Sequence, residues 1–281
     1  MIHFSKMHGC GNDFIVVDGR KGEIDWSSLA VEMSDRHFGI GSDGLLVVSG
    51  SHVAPIRMRM YNPDGSEAEM CGNGIRCFAK YVVERGIMPI EPFTTETGAG
   101  VLTVQPFLER RTVTGARIGM GQAILEPNLV PVSLEGGNGS GPVLDYPVAV
   151  NDRTLPMTFV SMGNPHAVTF LDEPVETFPL AEIGPQVEHH SMFPKRTNFE
   201  IVSVVDRSHL RVRVWERGAG LTLACGTGAA AAAAAAHLHG LIDDVAEVEL
   251  PGGTLTIEWD GRSEVHLSGP VEEVFQGEWL R

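Results

Sequence analysis

The sequence predicts an α+β fold of two pseudo-symmetric β-rich domains, each a sheet or barrel wrapped around a central helix. Three observations predict it: an ungapped internal repeat, strict apolar alternation in each copy, and a Cys-Gly-x-Gly turn that opens a helix-length segment in each copy. Shifted by 154 residues, LLVVSGSHVAPIRMRMYNPDGSEAEMCGNG (45–74) aligns with FEIVSVVDRSHLRVRVWERGAGLTLACGTG (199–228). Ser49 meets Ser203, Arg57 meets Arg211, Arg59 meets Arg213 and Tyr61 meets Trp215. Cys71, Gly72 and Gly74 meet Cys225, Gly226 and Gly228, and further on Gly86 meets Gly240.

Each copy begins with two β-like runs. The second alternates, as Ile56, Met58 and Met60 and as Leu210, Val212 and Val214, so one face is buried while the other displays arginine. A glycine-containing loop and the Cys-Gly-x-Gly turn follow. Helices are then expected over 75–84 and 229–239, each closed by a glycine. A helix of almost nothing but alanine can be approached closely from every side, which suits one enclosed by strands. The glycine-rich stretch LEGGNGSGP (134–142) reads as a linker or a surface hairpin. Strand-like runs continue on both sides of it, so the domain switch is placed near Leu125. The first domain is then 1–125 completed by 270–281, and the second is 126–269.

A chain of 281 residues with 43% hydrophobic and 20% charged residues can bury a sizeable core. The formal net charge of −15, with no basic tract, argues against binding to nucleic acid or an anionic membrane surface. The N-terminus lacks the pattern of a secretory signal, and the alanine run is too short to cross a bilayer. A cytoplasmic location follows as the expectation, and there the four cysteines are expected to be reduced.

A cysteine at the start of a helix lies among unpaired backbone N–H groups, which lower a thiol pKa and also bind a carboxylate. Two such sites, one per domain, meeting at one small acid would suit inversion of a stereocentre. One thiolate removes the α-proton while the opposite thiol delivers another, and their pKa values belong to the pair. For Cys71 and Cys225 a bland core role is weak, because an unrelated core would not repeat Cys-Gly-x-Gly at the same offset. Cys77 reads as packing. Cys10 has no mirror-related partner, and a Cys71–Cys225 disulfide, if it forms, is expected to be inactive.

MCGNG preceded by YNPDGSEAE, ACGTG preceded by WERG, GCGNDF near the start, GNPH at 163–166 and TNFE at 197–200 resemble the diaminopimelate epimerase family, in the family order and across the whole chain. The resemblance implies interconversion of LL- and meso-2,6-diaminopimelate by an isomerase without pyridoxal phosphate, metal or other cofactor, in lysine and peptidoglycan precursor synthesis. It implies a small-molecule substrate and a homodimer. Cys71 and Cys225 become the proton-transferring pair. Gly72, Asn73, Gly226 and Thr227 hold the reacting end of the substrate, while Asn12, Asn62, Asn164, Asn198, Glu216 and Arg217 line the cleft, Arg217 suited to a bidentate grip on the distal carboxylate. His166 and Glu216 tune the cysteine pKa values. This chain departs from common family residues at Gly44, Leu221 and Ala230, none of which transfers the proton.

Metal binding lacks CxxC or HExxH spacing, and neither a Walker GxxxxGK[ST] loop nor a Rossmann GxGxxG follows a strand. A related two-cysteine racemase acting on proline or hydroxyproline shares the duplicated design. Asn73 stands where that family typically has histidine, and WERG supplies an arginine for a second carboxylate that proline lacks. A non-catalytic carboxylate-binding or redox-sensing protein could use the same helix ends and thiols. It predicts binding without exchange of the α-hydrogen.

Overall fold

Eighteen strands and four helices form among the described residues of the computed structural model, which are 1–20, 22 and 24–280. They group into two compact units, one of Met1–Gly119 with Ser268–Arg281 and one of Met120–Leu267. The switch thus falls a few residues before Leu125. The glycine-rich stretch 134–142 is a loop within the second unit, tied by Asn138 Oδ1 accepting from the Leu134 amide at 2.8 Å.

In the first unit Ile2–Gly9 pairs antiparallel with both Asn12–Asp18 and the late strand Glu272–Trp279. Asn12–Asp18 runs parallel to Gly44–Ser49, which pairs antiparallel with Ile56–Tyr61. Phe93–Thr97, Gly100–Glu109 and Thr112–Gly119 continue the sheet. The second unit repeats this plan. Pro165–Phe170 runs parallel to Asn198–Asp206, which pairs antiparallel with His209–Glu216, and Val245–Leu250 and Gly253–Glu258 continue it. Inward positions of the alternating strands are apolar: Ile56 and Met58 are 2% exposed and Val212 is fully buried, while the arginines between them are half-buried.

Each sheet wraps a helix, Gly72–Glu84 in the first unit and Gly226–Leu238 in the second. Ala229–Ala236 is buried on every face, as an all-alanine surface permits. The helices begin three residues before the segments expected from sequence. The glycines of Cys-Gly-x-Gly form the first helical turn, and each cysteine is the N-cap in extended conformation. Gly86 and Gly240 close them with φ of +65° and +68°, a left-handed conformation that glycine adopts without steric cost. The amides of Ile87 and Leu241 reach back to the carbonyls of Val82 and Ala236.

Each unit also carries a second helix, outside its sheet. Trp26–Ser34 lies outside the first sheet in a cluster with Phe4, Ile15, Val17 and Leu45. Leu180–Glu188 sits against Phe199, Ile201 and Trp215 in the second unit. Each covers the sheet face turned away from the central helix, which a strand pattern with both faces apolar requires. No helix among the described residues is long and apolar enough to cross a membrane.

Candidate active site

Cys71 caps the central helix of the first unit, and its Sγ accepts from the Gly74 amide at 3.5 Å. Asn12, at the start of its strand, presents Oδ1 3.5 Å from that sulfur and 3.2 Å from Asn73 Nδ2. The Asn12 amide is oriented from behind: its Nδ2 donates to Asp43 at 2.7 Å, and Asp43 also accepts from the Asp13 amide and from Arg36. Asn73 Oδ1 accepts from Arg76 at 2.9 Å. Arg76 is fully buried, and donates further to the carbonyls of Gly72 and Pro270 and to Cys10 Sγ. A guanidinium therefore ties down the first helical turn beneath Cys71.

In the second unit Cys225 is 5% exposed and caps its helix by the same bond, Sγ accepting from the Gly228 amide at 3.4 Å. Thr227 Oγ1 lies 3.6 Å from the sulfur and accepts from Asn164 Nδ2 at 3.2 Å. Asn164 Oδ1 faces His166 Nε2 at 3.0 Å, and His166 Nδ1 faces Glu200 Oε1 at 2.7 Å. Asn198 joins two loops, donating to the Pro165 carbonyl and accepting from the Arg217 amide. The exposed Arg217 guanidinium donates to the Lys195 carbonyl at 3.1 Å, and Glu216 accepts from Thr222 at 2.5 Å.

The structure therefore gathers Asn12, Gly72 and Asn73 around Cys71, and Asn164, His166, Gly226 and Thr227 around Cys225. Asn198, Glu216 and Arg217 form the adjoining edge of the second unit. Asn62 stands apart in its bonding: it holds a tight turn, its Nδ2 donating to Ser66 Oγ and its backbone to the Ser66 carbonyl. Sequence reasoning passed over Asp43, Arg76 and Glu200. Glu200 had a visible signal, since it interrupts an apolar strand and its repeat mate is Leu46. Asp43 and Arg76, whose repeat mates are Thr197 and Ala230, lie outside the stretches whose apolar pattern would make a charge conspicuous.

One electrostatic expectation is overturned at Cys225. Burial pushes its thiol well above the usual range and the Glu216 and Glu200 carboxylates push it further, while Thr227 and the Gly228 amide offset only part. Desolvation defeats the helix N-terminus here. Burial likewise raises Cys77, to about 12, and raises Cys10 against the pull of Arg76. None of the four cysteines is in a disulfide.

The family model of diaminopimelate epimerase matches residues 4–125 and 158–274. The chain is 47% identical over 277 residues to the diaminopimelate epimerase of Caldanaerobacter subterraneus subsp. tengcongensis, covering 99% of each. It is 49% identical over 281 residues to that of Moorella thermoacetica, again covering 99% of each. Among solved structures, a hydroxyproline epimerase from Agrobacterium vitis shares the fold, with a TM-score of 0.71 at 15% identity over 98% of this chain and 90% of that one.

Proposed function

This chain belongs to the diaminopimelate epimerase family and is an amino-acid epimerase of lysine biosynthesis; from that premise we propose that Cys71 and Cys225 interconvert LL- and meso-2,6-diaminopimelate by direct proton transfer. The observation that supports the mechanism is the equivalence of the two thiols. Both are N-caps of the central helix, and both accept from the amide three residues on.

One sulfur, as thiolate, takes the α-proton. The electron pair left on carbon delocalises into the adjoining carboxylate, and the other thiol protonates the opposite face. Each turnover leaves the first sulfur protonated and the second as thiolate, so the reverse reaction uses the same groups with roles exchanged. The developing charge on the carboxylate is met by the N–H groups of Gly72, Asn73, Gly226 and Thr227, which are fixed before the substrate arrives. A single preorganised donor of this kind contributes roughly a hundredfold or more in rate. Asn12 and Asn164 recognise polar substrate groups without adding charge. Asn62, Asn198, Glu216 and Arg217 bind the rest of the substrate, Arg217 by exchanging the Lys195 carbonyl for the distal carboxylate. His166 and Glu216 set the proton affinity of Cys225. The reaction draws on no cofactor, and the enzyme works as a cytoplasmic homodimer, which sedimentation velocity on the purified protein tests.

The deciding experiment is incubation of reduced protein with LL-diaminopimelate in deuterated water. α-Deuterium and meso product are followed together, beside Cys71→Ala and Cys225→Ala. Deuterated meso product from the wild type and loss of epimerisation in each variant is the expected result. Turnover of proline or hydroxyproline in place of diaminopimelate would overturn the substrate, and full activity in either variant the mechanism.

A further inference from the structure

The two units are not equivalent beneath their helix starts. Gly44 and Asn198 occupy the same place in the repeat, and across the parallel pairing Gly44 stands opposite Phe14 while Asn198 stands opposite His166. His166 is therefore the counterpart of Phe14, and by the 154-residue offset Glu200 is the counterpart of Leu46. All four side chains are fully buried. A methyl group built on Gly74 would meet Leu46 Cδ2 at 3.2 Å, whereas one built on Gly228 would meet Glu200 Oε1 at 2.9 Å. One helix start rests on hydrocarbon and the other on a carboxylate bonded to an imidazole. Packing does not require this, since phenylalanine and leucine fill the same place in the other unit. Burying a carboxylate is costly, and Glu200 Oε2 has no hydrogen-bond partner among the described residues.

We infer that Glu200 is a positioning residue for the epimerisation: through His166, Asn164 and Thr227 it aligns the Cys225 thiol. This rests on the proposed function. The bonded path is continuous, from Glu200 Oε1 to His166 at 2.7 Å, His166 to Asn164 at 3.0 Å, Asn164 to Thr227 at 3.2 Å and Thr227 to Cys225 at 3.6 Å. Both ring nitrogens of His166 face oxygen atoms, so its orientation is fixed from both ends. The ionisable groups acting on Cys225 are Glu216 from His209–Glu216 and Glu200 from Asn198–Asp206, and Glu200 in turn faces His166 from Pro165–Phe170. Burial and the two carboxylates together favour the neutral thiol. The second unit accordingly supplies the acid in the resting enzyme, and Cys71, whose unit puts Leu46 in place of Glu200, supplies the base.

The test compares wild type with Glu200→Gln, Glu200→Asp and Glu200→Leu, the last installing the residue of the other unit, with thermal unfolding as a control for folding. The rate of meso formation is measured against pH. Expected for Glu200→Gln is a fall in kcat of about tenfold or more with KM held within about threefold. The basic limb of kcat/KM should move to lower pH by roughly one unit, because the carboxylate that holds the proton on Cys225 is gone. Glu200→Asp should restore part of both. A Gln profile in the wild-type position, whatever its height, overturns the inference, as does a stable Glu200→Leu variant with full kcat. If the wild type does not epimerise diaminopimelate at all, the proposed function fails. The Glu200 inference is then read from alkylation of Cys225 by iodoacetamide against pH, followed by mass spectrometry: an earlier rise in Glu200→Gln supports it and superimposed profiles overturn it.

Discussion

Thr227 bridges the Cys225 sulfur and the Asn164 amide. Thr227→Val keeps its shape and removes the hydroxyl, so both bonds are lost while the helix remains. A neutral hydrogen bond of this kind corresponds to about tenfold in rate, and steady-state kinetics should show that loss mainly in kcat. Asp13 gives a prediction of another kind. Burial raises its carboxyl, but hydrogen bonds from Arg36 and Lys6 outweigh burial and hold it down to about 2. A depressed folded-state value means that the stabilisation is present above about pH 4 and disappears as pH falls through 2; it amounts to about 2 kcal/mol. Urea denaturation should therefore find Asp13→Asn less stable than wild type at pH 6, and the gap should narrow toward pH 2. The residues that meet the helix starts were legible because they recur in short motifs. Asp43 and Arg76 were not, because each orients a neighbour, and nothing in a linear sequence marks which amide it will hold; Glu200 stood out only as a charge in an apolar strand, without its partner.

At the scale of elements, the two helix starts offer a matched pair of substitutions. Gly74→Ala brings a methyl to 3.2 Å from the Leu46 side chain, which can yield by a small rotation. Gly228→Ala brings one to 2.9 Å from Glu200 Oε1, which is tethered to His166, and to 3.3 Å from the Cys225 sulfur. Activity assays should therefore find Gly228→Ala the more damaging by at least about tenfold, since overpacking in a tight site costs about 1–3 kcal/mol. In the alanine helix, Ala232→Leu should lower stability by a similar amount, read as a drop in melting temperature, because Ala232 is fully buried among strands. The central helices and alternating strands were legible from periodicity and from the repeat. Leu180–Glu188 was hidden by Gly184 and Pro185, which read as helix breakers. Its reason for Gly184 is tertiary: a methyl there would lie 2.5 Å from the Trp215 ring. Trp26–Ser34 begins at the same offset from Leu180 that relates the cysteines, yet the two segments share no residue in that register, so comparison of the copies did not reveal either.

For the whole molecule, the first unit is assembled from two pieces of sequence and the second from one. Ile2–Gly9 is bordered by Glu272–Trp279, with Ile2 opposite Trp279 and the rings of Phe4 and Phe275 edge to face at 6.0 Å. The Pro270 carbonyl accepts from buried Arg76 beneath the Cys71 turn. Deleting 268–281 should accordingly open an unpaired strand edge and unfasten Arg76. Hydrogen exchange should report lost protection in residues 2–18 and 72–84, with protection of 198–238 retained. This discontinuity also sets an order of birth. Everything the second unit needs leaves the ribosome as one run, whereas the first waits for a strand encoded beyond the entire second unit. During synthesis the half carrying Cys225 can complete its sheet while the half carrying Cys71 is still short of a border, held open for the time it takes to translate its neighbour. The edge of Ile2–Gly9 therefore goes without its border until Glu272–Trp279 has been made.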